Sequence, residues 1–144
     1  MGKKQIVTKK GGGMDAGKRA RALARGSKKK LEAGVVSIEA TFNNTKVALA
    51  DMSGNVVAWS SSGALGFKGT RKGTPFAAAK VGELIADKAQ GMGVKSVGVV
   101  IRGVGPGRES ALRAFAAKNI DINQIKEMTP VPFNGPRPPK PRRG

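Results

Sequence analysis

Residues 96–102 read Ser-Val-Gly-Val-Val-Ile-Arg, and glycines follow at once. A run this short and this rich in β-branched residues is a strand. Apolar side chains stand at both odd and even positions, the pattern of an interior strand covered on two faces. Next come Gly103-Val-Gly-Pro-Gly-Arg-Glu-Ser and Ala-Leu-Arg-Ala-Phe-Ala-Ala-Lys, a glycine turn and a helix over residues 108–118 that buries Leu112 and Phe115. Strand, turn and helix in this order make an α/β chain with a crossover. The same order sends backbone N–H groups and the positive end of a helix dipole outward together, where anions bind. Gly103, Gly105 and Gly107 admit a phosphate to the main chain, and Pro106 stiffens the turn. Arg102, Arg108 and Arg113 bracket it with full charge. The alternative is a tight turn with no ligand, because lone glycine motifs are weak signals.

Upstream, residues 35–42 alternate, with Val36, Ile38, Ala40 and Phe42 on one face of a first strand. Asn43 and Asn44 make a turn, residues 45–51 a second strand, 52–55 another turn and 56–60 a third strand. Residues 61–73 are rich in glycine and include Lys68, Gly69, Thr70, Arg71 and Lys72. They show neither period and are expected as a surface loop. Thr74 then caps a helix that has Pro75 at its first position. Its apolar stripe is Ala77, Val81, Leu84, Ile85 and Ala89, and Gly91 and Gly93 end it. Asn119 caps the second helix, and residues 120–126 form the last strand. The expected fold is a single α/β domain over residues 34–128, of order β-β-β-α-β-α-β. Its central sheet is mixed, antiparallel at the start, with right-handed helical crossovers later. With those crossovers on opposite faces, both glycine-lined loops gather near the carboxyl edge of the sheet.

The chain carries 27 Lys and Arg against 9 Asp and Glu, a net charge of +18 over 144 residues. Solubility does not require so much charge, and its self-repulsion works against a folded body, so a polyanionic partner is implied. Nucleic acid comes first and an anionic membrane second. No apolar run approaches the roughly 18 residues of a spanning helix, and the basic N-terminus leads into glycines, so a soluble, unexported chain is expected. Residues 1–34 hold 11 basic side chains against 2 acidic, and residues 129–144 hold 4 against none. The extension over residues 1–33 has too few apolar groups to fold alone, although 16–25 can turn helical against a partner. The alternative there is a solvated tail. Residues 129–144 contain six of the eight prolines and form an extended, polyproline-like arm that turns at Asn134 and Gly135.

Cysteine and histidine are absent. Disulfides, thiol catalysis, the usual zinc sites and histidine acid-base chemistry go with them. Tyrosine is absent too, leaving Trp59 and five Phe, so base stacking is not expected as the main recognition mode. Residues 12–19 nearly match a nucleotide-hydrolase phosphate loop but lack the hydroxyl that holds magnesium and a preceding strand. The glycine turn lacks the dinucleotide spacing. Asp51, Asp87 and Asp121 read as turn, helix-surface and strand-start residues better than as a two-metal cluster. No catalytic residue, metal or cofactor is expected. Two glycine-lined cationic corners and two basic arms suit a folded RNA, gripped by its phosphates and shape.

Residues 38–45 (Ile-Glu-Ala-Thr-Phe-Asn-Asn-Thr), 61–79, 105–113 (Gly-Pro-Gly-Arg-Glu-Ser-Ala-Leu-Arg) and 129–143 together resemble the bacterial-type small-subunit ribosomal protein eleven family, from about residue 34 to the end. The resemblance implies an α/β protein of the cytoplasmic ribosome with no cofactor, small-molecule substrate or membrane. It implies a place on the platform of the small subunit, bound to 16S-type rRNA. Neighbouring platform proteins are implied partners, with mRNA upstream of the start codon nearby. It marks Asn43, Asn44, Lys68 to Lys72, Gly105, Pro106, Gly107 and Arg108, then Asn134, Gly135, Arg137, Lys140, Arg142 and Arg143, as RNA-facing. Phe133 and Pro136 stand where the family usually has His and Cys, so contacts specific to those two side chains are not carried over. The reading from a different class is a free-standing nucleic-acid chaperone or nucleoid-type protein, with an anion-dependent hydrolase third.

Overall fold

In a computed structural model that describes residues 30–143, three strands form an antiparallel meander: β1 (Ala33–Ala40), β2 (Thr45–Ala50) and β3 (Val56–Ser61). The phosphate-loop near match at residues 12–19 and the helix expected over 16–25 lie outside the described residues. Helix α1 (Pro75–Gly91) crosses to β4 (Ser96–Arg102), and helix α2 (Arg108–Ala116) crosses to β5 (Asp121–Glu127). The sheet order is β3-β2-β1-β4-β5, with β1, β4 and β5 parallel. Fold class and element order are those expected from the sequence.

Alternation decides which side of the sheet is inside. Val36, Ile38, Val47, Leu49, Val97, Val99 and Ile101 are buried on one face, under Val81, Leu84, Ile85 and Ala89 of α1 and Ala111 and Phe115 of α2. Each such aliphatic side chain contributes about 1.5–3 kcal/mol on burial. The cap of α1 is as expected: the Thr74 hydroxyl accepts from the Ala77 N–H at 3.3 Å, and Pro75 takes the first helical position.

The structure corrects four expectations. Among the described residues β4 is covered on one face only, and both helices pack side by side against that face. The reason is topological. The crossover from β3 passes β2 and β1 to reach β4, and the next moves on in the same direction to β5, so two right-handed connections leave both helices on one side. The opposite face stays open, with Val35, Gly98 and Val100 half-buried and Trp59 61% exposed. Second, β1 stops at Ala40, and Phe42 is 72% exposed instead of continuing the buried stripe. The Thr41 N–H and hydroxyl both reach the Asn44 carbonyl, at 2.8 and 3.2 Å, closing the turn before Phe42 can extend the strand. Third, residues 61–73 are not all surface loop: Leu65 and Phe67 plug into the core, after which Gly69–Gly73 wind into a 3-10 turn. Fourth, Ala111 takes the buried position given to Leu112, which packs only partly against the core, and α2 ends at Ala116.

Candidate nucleic-acid interface

Because β1, β3, β4 and β5 all point the same way, the segment that leaves each of them emerges at the same carboxyl edge of the sheet. Those segments are the 41–44 hairpin, the 62–74 loop, the 103–107 glycine loop and the proline-rich arm. Main-chain contacts tie them together. The Gly105 N–H donates to the Ala40 carbonyl at 3.0 Å, and the Met128 N–H to the Ile101 carbonyl at 2.9 Å. A Cβ on Gly105 would stand 2.0 Å from the Thr41 carbonyl, and one on Gly73 would stand 2.2 Å from the Phe42 carbonyl. Only glycine permits either approach.

The hairpin divides its two asparagines. Asn43 is exposed at the tip, while Asn44 is half-buried with its Oδ1 shut away from solvent, and its backbone carbonyl closes the turn. Beside the hairpin, Lys68, Gly69, Thr70 and Arg71 are exposed and Lys72 is half-exposed. This corner is held at its end by Thr74, whose hydroxyl donates to the Arg71 carbonyl at 2.8 Å while capping α1. The cations therefore stand at the positive end of a 17-residue helix.

The glycine loop behaves differently from the sequence expectation. Gly105 and Gly107 are buried, and the room their missing side chains leave is taken by the hairpin and, at Gly107, by Thr45 and Ala78. The glycines bring the chain's own backbone close, which is the tight-turn alternative, and Val104 and Pro106 are the loop's exposed members. Arg108, with a 30% exposed side chain, is bonded within the chain. Its Nη1 donates to the Gly103 carbonyl at 2.8 Å, and its Nη2 pairs with the Glu127 carboxylate. The Thr129 hydroxyl completes the knot, accepting from the Gly103 N–H at 3.1 Å and donating to Glu127. The hydrogen bond from Thr129 is the main reason that the Glu127 carboxyl sits below its ordinary value of 4.5; desolvation opposes it, and the Arg108 charge reinforces it. Glu127 and Thr129 were not singled out in the sequence. The available signal was an acid at the end of a strand, two residues before the hydroxyl that opens the arm.

Two predicted arginines lie apart from this knot. Arg102 ends β4 on the open face of the sheet, in register with Glu39 of β1. Arg113 projects from α2 with an 80% exposed side chain and an ion pair to Glu109 at 3.4 Å, a contact that water screens. In the arm, residues 130–143 are exposed throughout, so Arg137, Lys140, Arg142 and Arg143 are all presented to solvent. Asn134 takes a left-handed φ of 59° at the expected turn before Gly135. No group of three or more His, Cys, Asp or Glu able to hold a metal occurs among the described residues. Asp51 instead accepts from the Ser53 and Asn55 N–H groups at its turn, and Asp87 pairs with Lys118. No helix among the described residues is long and apolar enough to cross a membrane. The family described as ribosomal protein S11 matches this chain over residues 34–143.

Proposed function

This chain belongs to the ribosomal protein S11 family, and on that footing we propose that it sits on the platform of the small subunit, bordering the side where mRNA leaves. The family is a structural one, without enzymatic activity, whose members bind rRNA in the small subunit of the ribosome. Within that role, the proposed ligands are the central and 3′ parts of 16S-type rRNA in the cytoplasmic ribosome. Neighbouring platform proteins are proposed as protein partners, with mRNA upstream of the start codon nearby.

The observation that carries this reading is the convergence of a cationic loop, a hairpin tip and a basic arm on one edge of the sheet. Phosphates spaced along a folded RNA meet Lys68, Arg71 and Lys72 at the corner, and Arg137, Lys140, Arg142 and Arg143 along the arm. Asn43, Thr70, Asn134 and Gly135 offer uncharged polar and main-chain contacts between them. Arg102 and Arg113 extend the cationic surface to either side of the sheet, while Arg108 acts through the geometry of the arm's root. Each neutralised phosphate releases counterions, so the log of the affinity falls linearly with the log of the salt concentration, with a slope set by the number of phosphates neutralised. Contacts of this kind fix position and register on an RNA and leave its base sequence mostly unread.

Two measurements test the reading. Small subunits sedimented through high salt retain the protein, whereas release into the unbound pool favours a free-standing chaperone and overturns it. Radical cleavage from a probe tethered at position 70 cuts the central and 3′ parts of the RNA in reconstituted subunits. Cuts confined elsewhere overturn the placement.

A further inference from the structure

The chain has six aromatic side chains, and four of them are more than half exposed: Phe42, Trp59, Phe76 and Phe133. Aromatic rings carry a large apolar area, so an exposed one gains by being covered when a partner binds. Three of the four have settings that differ from that of Phe42. Phe76 lies edge-on to Phe67, with ring centroids 6.0 Å apart and the Lys80 ammonium 5.3 Å from its own ring. Trp59 is on the open sheet face, and Phe133 rides on the arm. Phe42 is 72% exposed at the hairpin tip, where Gly73 closes on its carbonyl and Gly105 on the Thr41 carbonyl. The ring is thus projected from a backbone clamped between two loops, one of which carries Lys68, Arg71 and Lys72.

We propose that Phe42 is a stacking platform for an unpaired nucleobase of the bound RNA, a base-contacting point at the centre of an otherwise phosphate-directed edge. The inference rests on the rRNA-binding reading above and adds a ligand class to it. Its physics is straightforward. A folded rRNA splays single bases out of its loops and bulges, and every base has a face that an aromatic ring can cover. The close packing of the hairpin backbone lowers the ordering cost, because the main chain that bears the exposed ring is already fixed before RNA arrives. The neighbouring cations bring phosphates, and with them loop nucleotides, within reach. A purely paired RNA offers the phosphates and withholds the base faces.

The test compares the full chain with Phe42→Ala, Phe42→Tyr and Phe42→Leu on two probes, a 16S-type rRNA transcript and a perfectly paired RNA duplex. Phe42→Ala weakens transcript binding by roughly 5- to 150-fold, the range spanned by removing one stacked base. It leaves the log-log salt slope, the duplex affinity and the melting temperature in place. Phe42→Tyr restores binding and Phe42→Leu does not. An unchanged transcript affinity in Phe42→Ala, with the parent chain binding normally, overturns the stacking proposal and leaves the rRNA reading intact. Rescue by Phe42→Leu also overturns it, since a leucine supplies apolar contact without a π face. Failure of the parent chain to prefer the transcript over the duplex counts against the rRNA reading itself.

Discussion

Arg108 shows how one side chain of a recognised motif is diverted to another task. Charge and position suit it to a phosphate, yet its guanidinium is committed to Gly103 and Glu127, beneath the point where the arm leaves the body. The consequence is measurable at Glu127. Followed by NMR, its carboxyl titrates below 4.5; Thr129→Val moves the midpoint up toward 4.5, and Arg108→Met moves it up by less, following the order of the two causes. Because the folded-state value is depressed, the knot's contribution is complete above pH 4.5 and disappears as pH falls through the lowered value. A Glu127 midpoint indifferent to both substitutions would show the knot to be absent in solution. Glycine spacing in 103–107 was legible from the sequence; what fills the space beside each glycine was not, because that depends on residues 40–45 and Ala78, all distant along the chain.

Elements were the most legible level. Thr74-Pro75 announces the start of α1, and the α1 stripe and the limits of β4 stand as read. Thr74 also links helix to loop, since one hydroxyl caps α1 and holds the Arg71 carbonyl. Thr74→Ala is therefore expected to cost about 1 kcal/mol in denaturant melts and to loosen the Lys68–Lys72 corner, while Thr74→Ser keeps most of the stability. A Thr74→Ala chain as stable as the parent would refute the cap. Residues 61–73 depart from the surface-loop expectation for a physical reason. Leu65 and Phe67 enter the core singly from an irregular loop, and no periodicity reports a lone anchor. Phe42 departs in the opposite sense, since alternation continues in the sequence past the point where the hairpin bonds end the strand.

At the scale of the whole molecule, charge and topology divide the work. The body from residue 35 to 128 holds 12 basic side chains against 7 acidic, while the arm holds four cations and no acid. None of the arm's residues beyond Thr129 belongs to the core. Replacing Arg137, Lys140, Arg142 and Arg143 by Gln is expected to flatten the log-log salt slope of rRNA binding by roughly 0.7–0.9 for each phosphate that is no longer neutralised. The melting temperature stays put. A slope unchanged in the four-fold variant would remove the arm as a phosphate binder.

Local chemistry written along the chain determined the element order, the α/β class, the excess of cations and the resemblance to a ribosomal protein family. Each of these depends on composition or on neighbours a few residues apart. Only the tertiary structure decided that both helices share one face, that four separate segments meet at one edge, that Arg108 is bonded to Gly103 and Glu127 and that Phe42 is left exposed. Those outcomes depend on the direction of the crossovers and on backbone approaching backbone across long sequence separations, and no local pattern records such distances.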